Sequence, residues 1–425
     1  MKNWRHLQDI SLEHTLDLNA QEQEILANLA ERLQENYPYN STAYAGQMIK
    51  PAHPIAYGAY WLTSLVNPNN HALDGGIATS KLELECIAQL GKMLGQEQTL
   101  GHLTSGGTVA NLEALWVSRQ LHPNTVVLAN ENAHYTHQRM CGVLGLQFKE
   151  VRSNAHGQMS TEHLDELLGQ HPHCTVVATL GTTGSGAVDP LEDILPMARN
   201  HGARVHVDAA YGGYFGLASN TSIAVQQAFA VTGRADSIVI DPHKHGLQPY
   251  GCGCVLFADP KVGQLYAHDS PYTYFTSSDL HLGEITLECS RPGAAAGALW
   301  ATMQRFPLEK GGEFSARLDQ GIAAAKMLVD KCRDQGMYAL DPSLDIAIYS
   351  MTGESAQSMS QANREAFARA EQRGVYLALF ELKKENCPWA IEWDQQSVTV
   401  LRSVLMKPEH NNIDVVDKIY QALLP

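Results

Sequence analysis

The sequence predicts an α/β fold: a mainly parallel central sheet with helices on both faces, joined to a smaller α+β C-terminal domain. Three observations predict it. From about residue 100, short β-branched runs alternate with helical segments, as in a sheet built from crossover units. Those runs are almost wholly apolar, which suits strands covered on both faces. Past about residue 310 the alternation stops and a different order of helices and strands begins.

The elements follow in order. "NAQEQEILANLAERLQENYP" reads as a helix capped by Asn19, with Ile25, Leu26, Leu29 and Leu33 on one face and Pro38 just beyond its end. An irregular stretch, "NPNNHALDGGIATS", leads to a second helix, "KLELECIAQLGKML". Strands are expected at "TVVLAN" (125–130), "CTVVATL" (174–180), "ARVHVDAA" (203–210), "DSIVI" (236–240) and "GCVLFA" (253–258). Helical segments such as "NLEALWVSRQL" and "LEDILPMARNHG" separate them. After "EKGGEF" opens a helix, "LDIAIYSM" and "SVTVLRSVLM" read as strands and "IDVVDKIYQALL" as a last helix. This divides the chain into an N-terminal helical segment (1–50), a large α/β domain (51–310) and a small C-terminal domain (311–425).

Composition narrows the function. The 425 residues are 44% hydrophobic and 18% charged, an ordinary globular balance. A net charge of −15 argues against nucleic acid and against an anionic membrane surface as partners. No apolar run approaches a membrane span, and "MKNWRHLQDISLEH" lacks the apolar stretch of a secretory signal. The eight cysteines have no zinc-finger spacing, which fits a reduced, cytoplasmic setting. His134 and His137 are three apart, but no carboxylate and third ligand complete a metal set, so none is expected.

The unusual residues fall at strand ends, where open α/β sheets bind ligands. Ser105-Gly106-Gly107-Thr108 stands just before a helix; it is either a plain cap or a cradle for an anion. His134 follows one strand and is either a satisfied histidine or a ring that stacks on a ligand. Asp208 follows another. It is a cap, or the partner of a cationic heterocycle nitrogen, with the small Ala210 leaving room for a flat ring. Lys244, in "IDPHKHGLQPYGCGC", ends what reads as a buried strand. A lysine at the floor of an apolar site is nucleophilic and forms a Schiff base with a carbonyl. A phosphate cradle, a stacking His, a pyridinium partner and such a Lys are together what pyridoxal phosphate (PLP) needs.

At these residues the chain resembles the PLP-dependent group II amino-acid decarboxylases of fold type I. "TSGGTVAN", "NAHY", "GTTGSGAVDPLEDI", "HVDAAYGG", "ADSIVIDPHKHG" and "CSRPGAAAGALW" carry the resemblance in fixed order. It spans roughly residues 40 to 310. Glutamate, tyrosine and aspartate decarboxylases are the members it looks most like.

The resemblance implies decarboxylation of an L-amino acid to its amine and CO₂ through a Lys244 Schiff base. It implies that Asp208 keeps the pyridine nitrogen protonated, that His134 stacks on the ring and that Ala210 lies on the other side. Gly107 and Thr108 would hold the phosphate with His243, and Thr183 would sit near the ring oxygen. Ser290 would reach the phosphate of a partner subunit, which implies a homodimer with its site at the interface. Tyr274, or alternatively Tyr272, would serve the reprotonation step from the polar segment 268–284. His245 stands where many relatives have an aromatic residue. Asp241 replaces a Ser or Asn of some relatives, and as a carboxylate it is not counted among the phosphate ligands.

Several readings stay open. Arg291 supplies charge to an acidic substrate or makes a structural ion pair. Asn70 and Asp74 edge the pocket across the dimer, or an aromatic substrate uses Tyr57, Tyr60 or Trp61. A carbon–carbon lyase or an aminotransferase would use the same residues. A nicotinamide enzyme is disfavoured, because the Gly-x-Gly-x-x-Gly turn is missing.

Overall fold

The computed structural model describes residues 18–266 and 286–425. Its first half runs α1 (Ala20–Leu33), α2 (Pro54–Ser64), α3 (Ile77–Met93), β1 (Leu100–Thr104), α4 (Gly107–Leu121), β2 (Val126–Asn130), α5 (Thr136–Leu144), β3 (Gln147–Val151) and α6 (Thr161–Gln170). It continues through β4 (Thr175–Thr179), α7 (Leu191–Asn200), β5 (Arg204–Asp208), α8 (Ile223–Ala230), β6 (Ser237–Ile240) and β7 (Gly253–Phe257). The remainder is α9 (Gly293–Arg305), α10 (Glu313–Asp334), β8 (Tyr338–Ala339), β9 (Ile346–Ser350), α11 (Ala356–Gln372), β10 (Ala378–Lys383), β11 (Ser397–Val404) and α12 (Ile413–Leu423).

Seven strands form the central sheet in the order β1-β7-β6-β5-β4-β2-β3. β6, β5, β4, β2 and β3 pair in parallel, while β7 runs antiparallel to both β1 and β6. The mainly parallel α/β expectation therefore holds, with the run at 253–258 as the reversed strand. Each expected strand is present within a residue or two of its expected ends.

Two strands of this sheet do not stand out in the sequence. β1 (LGHLT) carries a histidine in its middle. That ring is buried and satisfied, Nε2 meeting Glu113 Oε2 at 2.8 Å and Nδ1 meeting Leu103 O. β3 (QFKEV) is one of the two edge strands and, unlike β1, is partly exposed and polar.

The apolar core of the sheet includes Leu128, Val176, Val205, Ile238 and Leu256, all fully buried. Behind the sheet, the smaller layer is a four-stranded antiparallel sheet, β10-β11-β9-β8. Its core joins Leu401, Tyr349 and Leu328 of α10 to Ala43 and Ala45 from the N-terminal stretch. The tie is direct: Ala45 N–H donates to Tyr376 O and Val404 N–H to Ala45 O, both at 2.8 Å.

The first helix has the cap the sequence predicts. Asn19 Oδ1 accepts from Glu22 N–H, and Glu22 Oε2 accepts in return from Asn19 N–H. Among the described residues nothing buries its apolar face. Leu26 is 50% and Leu33 56% exposed, and no residue of α1 is buried.

Candidate active site

Parallel pairing brings the strand ends together. Asp208 is the last residue of β5, and its Cα partner is Val239, so the turn after β6 emerges beside it. Antiparallel pairing of β7 with both neighbours makes β1 parallel to β6. Thus Gly106 and Gly107 after β1, His134 after β2, Thr183 after β4, Asp208 and Lys244 all lie along one sheet edge. There they surround a cavity of about 370 Å³. Gly107, Thr108, His134, Thr183, Asp208, Ala210, His243 and Lys244 all line it.

At one end, α4 begins at Gly107. Its first N–H groups have no acceptor within the helix and favour an anion. Glycine at 107 is required by space, because a Cβ there would stand 2.7 Å from Asp241 Oδ2. Glu288 Oε2 accepts the Ser105 N–H at 2.9 Å on the rim. A second close approach shapes the turn after Asp208: a Cβ on Gly212 would stand 2.0 Å from Leu180 O.

At the other end is Asp208, buried and held in a polar chain. His137 Nε2 donates to its Oδ2 at 2.8 Å, and Asn111 Nδ2 approaches the same oxygen at 3.4 Å. Ala210 N–H donates to Oδ1 at 3.1 Å. Asn111 Oδ1 in turn meets His206 Nε2 at 2.7 Å, and His206 Nδ1 meets Ser237 Oγ at 2.9 Å. Burial alone would raise the Asp208 carboxyl. The His137 hydrogen bond and charge, with Lys244 and the Ala210 amide, overcome it and hold the group well below the usual range. His206 goes the other way: burial pushes it down to about 3, so it is neutral.

Lys244 stands between these ends, in the turn closed by Lys244 N–H to Asp241 O at 2.9 Å. The sequence suggests an apolar floor beneath its amine. The structure instead puts a carboxylate there, with Asp241 Oδ2 3.1 Å from Nζ. The same oxygen is 3.5 Å from His243 Nε2. Burial lowers the His134 imidazole, helped by the Lys244 charge and opposed by Asp208, which favours a neutral ring facing the cavity. The donor set therefore fits PLP: an anion cradle at one end, a permanently ionised carboxylate at the other, and a single primary amine between.

Other expected residues lie elsewhere. Tyr274 and Tyr272 fall outside the described residues. Ser290 is exposed and does not line the cavity; its hydroxyl takes a hydrogen bond from Asn69 at 3.1 Å. Arg291 is the structural ion pair of the two alternatives, with NH1 2.6 Å from Glu83 Oε1 in a buried setting. Asn70 is spent internally on Glu83 and Thr79, because its neighbourhood is buried. Asp74 is exposed, as are Tyr57 and Trp61 on α2.

Three residues of the site are missed from sequence. His137 reads as half of an incomplete metal pair, yet it binds Asp208, 71 residues away. Asn111 hides inside an amphipathic helix. Arg402 lies on β11, where its guanidinium donates to Gly184 O (2.8 Å), Gly46 O (3.0 Å) and Thr183 O (2.7 Å) and so fixes the Thr183 loop. Only its Leu-Arg-Ser setting in an apolar strand hints at a buried charge. His245 is buried. Its Nε2 lies 3.3 Å from Asp345 Oδ2, and Tyr211 donates to the other Asp345 oxygen.

Comparison with known proteins agrees with this geometry. The profile of the pyridoxal-dependent decarboxylase conserved domain matches residues 8–343. A probable L-tyrosine/L-aspartate decarboxylase of Methanothermobacter thermautotrophicus is 29% identical over 275 residues, 64% of this chain and 73% of that protein. The L-aspartate decarboxylase of Thermococcus kodakarensis is 30% identical over 295 residues, 68% of this chain and 74% of that protein. In structure, mouse CSAD superposes with a TM-score of 0.82 at 20% identity, covering 100% of this chain and 91% of that one. That last likeness is one of fold.

Proposed function

This chain belongs to the pyridoxal-dependent decarboxylase family and is a PLP-dependent amino-acid carboxy-lyase of fold type I; from that premise we propose which residues do the work and on what. The observation that carries the assignment is the meeting of Lys244, Asp208 and the Gly107 turn in one cavity.

Lys244 would hold the cofactor through its aldehyde carbon, and Gly107, Thr108 and His243 would hold its phosphate. Asp208, kept ionised by His137, would face the ring nitrogen and keep it protonated. His134 would lie on one ring face and Ala210 on the other, with Thr183 toward the ring oxygen. When bound, the cofactor supplies an electron sink for the pair left on the α-carbon as CO₂ departs. The residues' part is to hold the carboxylate across the ring plane and to return one proton to the α-carbon. Tyr274 is the proposed donor. Glu288, just beyond the polar segment 268–284, accepts the Ser105 N–H at the cavity rim.

The proposed substrate is a small acidic L-amino acid, aspartate first. The Thermococcus relative, an L-aspartate decarboxylase, supports it. A homodimer is proposed as well. Ile25, Leu26, Leu29 and Leu33 of α1 and Ile55, Tyr57 and Trp61 of α2 are exposed apolar residues, the kind of surface that a partner covers. A second copy would cover it and bring Ser290 to the neighbouring phosphate. Eight unpaired thiols support the cytoplasmic setting.

The test is CO₂ release from the PLP-loaded protein with each common L-amino acid in turn. Release from aspartate with formation of β-alanine is expected. Release from tyrosine alone would overturn the acidic reading, and release from none would overturn the site assignment. Sedimentation at micromolar concentration tests the dimer.

A further inference from the structure

Asp241 poses a problem of charge. Its carboxylate is buried directly beneath the glycine turn assigned to the phosphate. Two anionic groups so close and so dry repel strongly. Its Oδ1 has no hydrogen-bond partner, and neither has His243 Nδ1. Both are unsatisfied buried atoms, which is costly unless a ligand or a charge shift uses them.

Asp241 Oδ2 is shared by Lys244 Nζ at 3.1 Å and His243 Nε2 at 3.5 Å. Once Lys244 nitrogen is bonded to the cofactor, its ammonium no longer serves Asp241. A buried carboxylate needs another cation. Among the described residues facing this group, the choices are few. Tyr250 stacks on the His243 ring with centroids 4.7 Å apart, and burial pushes its hydroxyl up to about 12. Burial also raises Cys252, Cys254 and Tyr214, so all four stay neutral. His134 is lowered by burial. Glu288 on the rim adds only negative charge. His243 remains: burial, with the Lys244 charge, holds it below the usual imidazole range, and Asp241 opposes them; bonding Lys244 removes one of the two lowering causes. Its ring also faces the turn, since a Cβ on Gly106 would stand 3.4 Å from its Cε1.

We propose that Asp241 is a positioning residue for the phosphate: it pairs with His243 and keeps that ring protonated, so that an imidazolium faces the cofactor's phosphate. This rests on the reading of Gly107, Thr108 and His243 as the phosphate set. The carboxylate that looks hostile to a phosphate thus recruits the cation that binds it. Loading trades the Lys244–Asp241 pair for a His243–Asp241 pair.

The test uses 4'-deoxypyridoxine 5'-phosphate, which lacks the aldehyde, on a Lys244→Ala background, where no ammonium competes for Asp241. Its dissociation constant is measured from pH 6 to 8.5 on that parent protein, wild type at 241 and 243, and with Asp241→Asn, Asp241→Ser, His243→Gln or the Asp241→Asn/His243→Gln pair added. The Asp241 variants are expected to bind roughly tenfold weaker than the parent, although each removes a negative charge. The parent's affinity is expected to fall as pH rises, a dependence that the Asp241 and His243 variants lose. Matching thermal melts serve as the folding control. Simple repulsion predicts the opposite sign, tighter binding at every pH, and that result overturns the proposal. The double variant should be no weaker than His243→Gln alone; an additive loss overturns an action through His243. If His243→Gln binds like the parent, the phosphate set itself is wrong and the proposal falls with it. If His243→Gln weakens binding and the Asp241 variants do not, only the proposal falls.

Discussion

His137 and Asp208 form a buried pair, Nε2 to Oδ2 at 2.8 Å, across the end of the central sheet. The histidine side chain is fully buried and its Nδ1 has no partner, so the ring serves this contact. Replacing it by an apolar ring would leave the burial cost of the carboxylate without its main opposition. His137→Phe is therefore expected to raise the Asp208 carboxyl and weaken its hold on a ring proton. A charge-assisted hydrogen bond of this kind contributes about 1.5–3 kcal/mol, so kcat is expected to fall roughly ten- to a hundredfold. The visible absorbance of bound cofactor should shift its pH midpoint in the same variant. An unchanged midpoint would show that His137 only fills space.

The single amine at the cavity floor makes a second expectation. Wild-type protein incubated with PLP and reduced with borohydride should gain the mass of one cofactor per chain. Lys244→Ala should gain none, and kcat should fall by several orders of magnitude, as expected for loss of a covalent nucleophile. An adduct retained in Lys244→Ala, seen by intact-protein mass spectrometry, would sink the lysine assignment.

What the sequence shows and hides here has a physical pattern. Lys244 is legible because a mostly apolar strand, Ser237–Ile240, ends shortly before it and a lone ammonium after such a run is conspicuous. Asp208 and Gly107 are legible for the same reason, as polar or glycine residues at strand ends. His137 and Asn111 are not, because their roles depend on partners 71 and 97 residues away and no local period marks them. Asn70 looks like a surface loop residue, yet Glu83 and Thr79 draw it inward. The apolar face of α1 predicts a covered helix, but none of the described residues buries it, since periodicity says that a face is suited to burial and not what buries it.

The buried histidines set an acid limit on the apoprotein. Burial depresses His206 to about 3 and His410 to about 4, against 6.5 unfolded, so between pH 4 and 6 only the unfolded chain protonates them. A depressed pKa gives stability that is present above the unfolded value and lost as pH falls. Asp189 works against them: burial raises it to about 6 from 3.8, so it takes a proton only when folded. Two protons on the unfolded chain against one on the folded leave a net difference of about one. Stability should rise by roughly 1.4 kcal/mol per pH unit across this window. Tm of the apoprotein is expected to climb from pH 4.5 to 6, and more steeply in Asp189→Asn. A Tm that falls over this range would contradict the assignment of these groups as buried and neutral.

Arg402 makes the final test, because it ties the small sheet to the cavity wall. Its three nitrogens reach three backbone carbonyls, at Gly184, Gly46 and Thr183. Each carbonyl is otherwise short of a donor, and the planar fork meets all three at once. A lysine carries one ammonium on a flexible stem and cannot span that arrangement. Arg402→Lys is thus expected to lose at least one charge-assisted hydrogen bond, about 1.5–3 kcal/mol, and several degrees of Tm. Because Thr183 lines the cavity and its loop is released, KM should rise while kcat changes within roughly twofold, as for a lost binding contact. Thermal melts and steady-state rates on the same preparation separate the two effects. A wild-type Tm with a wild-type KM would mean that the loop is held by its own turn, Gly186 N–H to Thr182 O at 2.8 Å, and that the guanidinium is a passenger.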